Sequence, residues 1–486
     1  MRLAPLQVLS GTEMQSIHSA TVDILETTGV EVLSPHLLEL LHAKGLPVDA
    51  AARRVRFPRA ALEDALAKVP RSFAVFDRDG TPAFTLGDGT PRVAAGHNAV
   101  FWLDSETGQT RPSRVQDVER FARLCEQLPE IDMIGIPVMP QDVRNPQASL
   151  LYGVNACIAN SRKPIYFSTD RPDVNRGCIE LLRAAFGGDF DSCVYGITQL
   201  SPTSPLFWEE SVCEAILDTL KTNVPIAILP EPNAGVSAPY TLAGLLTMNN
   251  AECLSGLAMI QLLKPGHKVL YANSWTTTDM RSGAALVGSI ETSVCRIAAA
   301  QLAKFYHVPS HTTAPNSDNH AHDEQNAWEK TFSLMASVGA GHDLIVNCGM
   351  FATGMTCSHE QLLMDAEIAG MCRRLAAGVE VTPDTIAADL IQRIGPHGES
   401  YLVQDHTLER LRSDEYLVPM LAVRGPFAAW QAGGGKDACA QARAKAAELD
   451  ARPAARLDAQ RHARLDQCLA RAEEQLGARS AELGGR

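Results

Sequence analysis

The sequence has no C-x-x-C pair, no apolar run of membrane-spanning length and no excess of basic residues. Each absence removes a class of protein. Its twelve cysteines are scattered, which reads as reduced core thiols rather than a zinc ribbon or a disulfide framework. The opening MRLAPLQVLSGTEMQ lacks the apolar segment of a signal peptide, so a cytoplasmic protein away from membranes is expected. Acidic residues outnumber basic ones, 56 to 43, for a net charge of -13. That argues against a nucleic-acid partner and is compatible with a positively charged or zwitterionic one. No nucleophile–base–orienter set stands out, although the members of a triad need not be neighbours in sequence.

What is present is an ordinary globular composition, 45% apolar and 20% charged over 486 residues, enough for a large core. Ser10-Gly-Thr-Glu13 is a capping-box pattern opening a helix that Gly29 closes. Pro58 starts another, with Leu62, Leu66 and Val69 at helical spacing. From Phe73 to Leu103, short alternating runs and the Asp-Gly pairs at 79–80 and 88–89 predict a small antiparallel sheet. Residues 1–128 thus read as an α+β cap.

From Ile131 a regular rhythm begins. Apolar strands are expected at IDMIGIPVM, PIYFST, VYGITQL, PIAILPE, KVLYANS, VPSHTT and LIVNCGM, with a weaker eighth at YLVQ, 401–404. Amphipathic helices separate them. Repeated β-α units imply a parallel sheet, and this many suit a closed (β/α)8 TIM barrel over residues 129–410. No phosphate-binding glycine motif follows the first strand, which counts against a dinucleotide fold. After about residue 410 the chain becomes rich in Ala, Arg, Glu and Gln, and Gly433-Gly-Gly435 separates the barrel from a helical tail. Residues 411–486 read as a C-terminal helical extension, solvated or oligomer-facing, with Leu449, Leu457, Leu465 and Leu469 as partial exceptions.

In such a barrel, chemistry lies at the carboxyl ends of the strands. The densest of these is VPSHTTAPNSDNHAHDEQNAW, 308–328. Tyr166, Tyr271, Trp275, Met350 and Phe351 recur near strand ends, beside Asn316, His320 and the acids Glu231 and Asp318. Aromatic walls with a few carboxylates suit a quaternary ammonium group, whose charge is attracted to ring faces. For any one of these aromatics, barrel core is the blander reading. His320-x-His322 beside Asp318 is chemically adequate for zinc, but the spacing is weak and no metal is assigned. Asp323 fits the N-cap of the helix that follows, with Asn326 at N3.

The sequence also resembles the trimethylamine methyltransferase family. The resemblance is carried by LSGTEMQSIHSATVDILETTGVEV, RVRFPRAALEDAL and FDRDG. It continues in SPTSPL (201–206), PEPNAG (230–235), TLAGLLTMNNAE (241–252), Ser317-Asp318, and Asp323, Gln325 and Glu329. SHEQLLMDAEI (358–368) and IGPHGESYL…DHT (394–407) complete it. It implies a (β/α)8 barrel that moves a methyl group from an amine to the Co(I) of a separate corrinoid protein. No cofactor would be bound directly. The founding branch uses pyrrolysine, which this sequence lacks, so the implied substrate class is that of the members without it: glycine betaine or a related quaternary amine. A quaternary nitrogen already carries its charge, so a neutral amine can leave and the enzyme need only position the methyl group.

On this reading Asp318 and Glu231 are the candidate catalytic residues. Tyr166, Tyr271, Trp275, Asn316, His320, Met350 and Phe351 are candidates for substrate binding. Asp318 closing a turn is an equal alternative. The rim segments 139–147, 201–207, 231–240 and 312–323 are candidates for docking the corrinoid protein. The competing expectations are a zinc-dependent barrel enzyme and a catalytically silent betaine sensor. A homo-oligomer is expected.

Overall fold

The computed structural model describes residues 3–396 and 398–484; His397, inside the 394–407 motif, lies outside them. The scaffold is mixed α/β. Among the described residues, eight strands joined by parallel pairings make up a ring. They are β1 (Arg92–Ala95), β2 (Ile134–Gly135), β3 (Ile165–Ser168), β4 (Gly196–Leu200), β5 (Ile226–Ile228), β6 (Val269–Tyr271), β7 (His311–Thr313) and β8 (Leu344–Cys348). β2 to β6 form one sheet in sequence order. β7 pairs β8, and β8 pairs β1. Parallel bridges Ala94–Met133 and Tyr271–Ser310 join the two sheets at both seams. The pairings therefore run round a ring and return to β1.

One helix follows each strand. These are α1 (Val115–Gln127), α2 (Ser149–Asn160), α3 (Pro172–Ala185), α4 (Glu210–Thr219), α5 (Leu242–Leu263), α6 (Ile290–Phe305), α7 (Glu324–Ala340) and α8 (His359–Ala377). The local signals act as physical chemistry requires. Ser10 and Glu13 form the expected capping box, and the Asp323 carboxylate accepts the Asn326 N–H at 3.2 Å, satisfying an N-terminal donor of α7.

Two of the expected strands need correction. YLVQ is not a strand: Tyr401–Val403 is a single 3-10 turn, and all three residues are exposed. The eighth strand is instead β1, RVAA, which the sequence pattern assigned to the antiparallel sheet of the cap. Only Phe73–Phe76 and Pro82–Leu86 form the antiparallel hairpin expected there. Phe101–Leu103 pairs antiparallel with Thr110–Pro112 and parallel with Thr356–Cys357.

Alternation along the strands sorts the core. Ala94, Met133, Tyr166, Ile197, Leu229, Leu270 and Val346 form one buried cluster with Phe73, Val75 and Leu86 of the hairpin. Phe76 donates to the Val194 carbonyl just before β4, so the hairpin closes the amino ends of the strands. The alternate positions face the helices and form the two larger clusters. The tail is not a solvated helix: Ala459–Gly484 packs on α3 and Ala438–Asp450 on α8, with Leu449 and Leu465 buried. All twelve thiols are free. Among the described residues no helix is long and apolar enough to cross a membrane.

Candidate functional site

Inside the ring, toward the carboxyl ends of the strands, the apolar layer gives way to polar groups. Tyr166 on β3 is the floor. Its ring stacks on His311 at a centroid distance of 5.2 Å and meets the His97 ring edge-on at 5.1 Å. Its hydroxyl donates to Gln199 Oε1 at 2.9 Å, and Gln199 Nε2 donates to Ser201 at 3.3 Å. Both histidines are held neutral. Burial pulls His97 down to about 4 and His311 well below the ordinary imidazole value. Three of their ring nitrogens, His97 Nδ1 and both of His311, are buried with no hydrogen-bond partner. Buried polar atoms without a protein partner are uncommon.

Glu231 follows β5 two residues beyond the inward-facing Leu229, so its side chain continues on the inner face. Glu231 is exposed to solvent, yet the protein around it is dense enough to desolvate the carboxylate. Both hold for a side chain on the inner face of the ring that reaches water at the strands' carboxyl ends, where the surrounding protein governs its electrostatics. Burial alone pushes its carboxyl up to about 7, and its charge raises the Tyr166 hydroxyl further. A hydrogen bond or a nearby cation would have pulled it back. Ser168, Ser201 and Ser274, at or just past the ends of three different strands, are partly exposed. The arrangement is a carboxylate whose shift has no countercharge among its causes, set in a polar, mostly neutral end of the ring. A cation entering it would meet no competing positive charge.

The other candidates fall elsewhere. Asp318 is a loop pin: its oxygens accept the N–H groups of Val287 (2.8 Å) and Gly288 (2.9 Å) and the Thr353 hydroxyl (3.2 Å). Glu329 completes the pin by accepting from Asp318 N, Ser317 Oγ and Gln325 Nε2. The geometry favours the turn-closing alternative. Asn316 is buried, donating to the Thr313 carbonyl and accepting from Asn347 at 2.6 Å. His320 is exposed. His322 turns away from it, between Ser358 Oγ (3.2 Å) and Cys439 Sγ (3.5 Å), with Phe351 against its ring at 4.9 Å. Asp318, His320 and His322 therefore do not converge. Among the described residues no cluster of His, Cys, Asp or Glu is arranged for a metal. Met350 packs over Gly96, where an added Cβ would lie 2.2 Å from its sulfur.

Tyr271 and Trp275 do not belong to this inner face. They alternate with the inward Leu270 and Ala272 and so face the helices. Tyr271 donates to Asn250 of α5 at 3.0 Å, and Trp275 is buried in the same outer cluster. An odd or even position along the strand decided this, and both residues are odd. The sequence reading missed His97 and His311 as parts of the site. His311 stood in view as the first residue of β7; His97 was hidden because β1 was unrecognised.

The chain matches the family model described as trimethylamine methyltransferase (MTTB) over residues 1–477. It is 32% identical over 462 residues to trimethylamine methyltransferase MttB2 of Methanosarcina mazei, covering 91% of this chain and 90% of that one. It is 29% identical over 434 residues to the glycine betaine methyltransferase of Desulfitobacterium hafniense, covering 88% and 89%. Among solved structures, the monomethylamine methyltransferase of Methanosarcina barkeri superposes with a TM-score of 0.50 over 90% of this chain and 92% of that one, at 14% identity, a likeness of fold alone.

Proposed function

The chain belongs to the trimethylamine methyltransferase family, and from that premise we propose that it moves a methyl group from a quaternary amine, glycine betaine or a related betaine, to the Co(I) of a corrinoid carried by a separate protein. The observation that carries the substrate class is Glu231: an ionisable carboxylate inside the ring whose only perturbation is burial. A quaternary ammonium supplies the missing charge without needing a proton. The similarity to a glycine betaine methyltransferase agrees with it. The closed run of parallel pairings supports reading the scaffold as a (β/α)8 barrel, with its first strand at residue 92, inside what the sequence suggested was the cap.

The corrinoid would supply the nucleophile. The chain's residues have the remaining tasks. Glu231 pairs with the cation, and Tyr166 closes the floor beneath it. The C–N bond breaks with its electron pair left on nitrogen, so the positive charge Glu231 holds is lost in the transition state. Glu231 thus contributes to substrate affinity more than to the chemical step. His97 and His311, kept neutral, add no positive charge that would repel the substrate. The serines around the mouth are small, which fits an opening that must admit a large flat ring. We also propose a soluble, cytoplasmic setting.

The decisive test is a methyl-transfer assay with a panel of betaines and trimethylamine against a reduced corrinoid protein, following Co(I) loss by absorbance. Transfer from a quaternary amine alone supports the proposal. Transfer from trimethylamine alone overturns the substrate class. Tight betaine binding without any transfer would make the chain a sensor.

A further inference from the structure

Resting on the proposed function for the identity of the ligand, we infer a second binding site, in a groove between the loop after β5 and the hairpin after β6. Its ligand is a small zwitterion carrying a quaternary ammonium and a carboxylate. The hairpin pairs Thr277–Thr278 antiparallel with Ala285–Leu286. Between it and the loop that ends at Tyr240 lies an open cavity of 610 Å³, within the range of about 300–1,000 Å³ common to small-molecule sites.

The walls suit a quaternary ammonium. Tyr240 is 58% exposed and Met280 57%, and both line the groove. Neither is loosely placed. The Tyr240 hydroxyl donates to the Thr278 carbonyl at 3.2 Å. Both side chains lie over Gly235, at φ +88°, where an added Cβ would come within 2.5 Å of the Met280 methyl and 2.9 Å of the Tyr240 ring. A fixed, open aromatic ring attracts the charge, and the ammonium's methyl groups prefer such walls. Asp279, Arg281 and Glu291 complete the lining. Hydrogen bonds from the Ser282 hydroxyl and the Arg281 amide hold the Asp279 carboxyl below its ordinary range. Two acids against one base favour a cation. Among the described residues, neither the Arg281 guanidinium nor the Glu291 carboxylate has a hydrogen bond or ion pair. The guanidinium is therefore free to take the ligand's carboxylate, while Tyr240 and Glu291 take its cation.

The groove is tied to Glu231 through the backbone. Past the strand ends the parallel pairing continues: Ser274 donates to the Pro230 carbonyl, Thr276 to the Pro232 carbonyl, and Ala234 to the Thr276 carbonyl, at 3.0–3.1 Å. The extended run from Glu231 to Ala234, a residue of the groove, carries the chain about 10 Å outward. One loop thus begins at the carboxylate and ends at the aromatic wall. The groove is a loading site, holding incoming substrate one loop's length from Glu231.

The test follows the methionine methyl signals of the full chain, 13C-labelled, with the Met280 signal assigned by Met280→Leu. Titration with glycine betaine should shift that signal to saturation. Tyr240→Leu and Arg281→Gln should each weaken the titration by at least about threefold. Tetramethylammonium, which has no carboxylate, should respond to the first variant and not to the second. Glu231→Gln should leave the Met280 titration unchanged, which separates the groove from the inner site. If the chain transfers no methyl group from any betaine, a saturating Met280 shift with these variant effects still sustains the groove. A Met280 signal unmoved at tens of millimolar betaine would overturn it. So would a shift lost in Glu231→Gln, a titration that Tyr240→Leu leaves intact, or a signal moved by an added corrinoid protein and by no betaine.

Discussion

Glu231 gives the site a pH dependence of definite sign. Its carboxyl is pushed up to about 7, and a quaternary cation pairs only with the ionised form. Apparent affinity for the amine should therefore be flat above pH 7 and fall about tenfold per unit below it. Glu231→Gln should weaken binding and abolish that slope, which calorimetry between pH 5.5 and 8.5 would reveal; a slope that survives the substitution assigns it to another group. The folded state favours the protonated acid, so the wild type loses stability as pH rises from the ordinary glutamate range through 7. The variant should accordingly melt higher than wild type at pH 8 and no higher at pH 4. Asp318 carries a different expectation. Asp318→Asn puts an amide N–H against the Val287 or Gly288 N–H and should cost about 1–3 kcal/mol, read as a lower melting temperature. If stability holds and methyl transfer is lost, Asp318 acts in the chemistry after all. Trp275→Ala should cost about 3–5 kcal/mol while leaving amine affinity unchanged, because the indole lies in the helix-facing cluster outside the strands. Composition could flag these aromatics but not their parity along a strand. That parity was legible only from which neighbours are inward, Leu270 and Ala272.

At the scale of elements, the loops after β7 and β8 are held by a buried ion pair between helices. Lys330 of α7 donates to Asp365 of α8 at 2.8 Å, both side chains fully buried. The same carboxylate accepts the Gly349 N–H at 2.7 Å and Gln361 Nε2 at 2.9 Å, and Lys330 reaches the Pro315 carbonyl. Burial pushes the Asp365 carboxyl upward, opposed first by Lys330. Lys330→Met would leave that charge unpaired and should cost about 3–5 kcal/mol in chemical denaturation; a loss under about 1 kcal/mol would mean that water replaces the lysine. Seven of the eight ring strands and the helices from α2 to α8 were legible, because apolar runs of strand length alternated with helical periodicity. β1 was not. RVAA is four residues after a turn signal, and its partner β8 lies some 250 residues further on, so nothing local distinguishes it from a hairpin strand. YLVQ failed for the opposite reason: its apolar residues resemble a strand but face outward.

For the whole molecule, the tail is part of the helical layer outside the strand ring, packed on α3 and α8. Its helix reads as polar around most of its circumference, and only the leucines hint otherwise. Leu465 is fully buried and Leu469 nearly so, in the cluster that also contains Cys178, Ile179 and Leu182 of α3. Arg78, from the turn of the amino-terminal hairpin, crosses to the same place. Its guanidinium donates to the Ile158 carbonyl of α2 at 2.7 Å and reaches the carbonyls of Ala455 and Arg456 just ahead of the tail helix. The first and last parts of the chain thus meet over α2 and α3. Leu465→Ala should cost about 2–5 kcal/mol through lost burial and the void left behind. Amine affinity should not change, since among the described residues no tail residue has a contact with Glu231 or Tyr166. Denaturant unfolding and calorimetry on the same sample separate these quantities. A loss below about 0.5 kcal/mol would make the tail an appendage rather than a wall. A loss of affinity without a loss of stability would instead mean that packing on α3 reaches the site through β3, whose Tyr166 forms its floor.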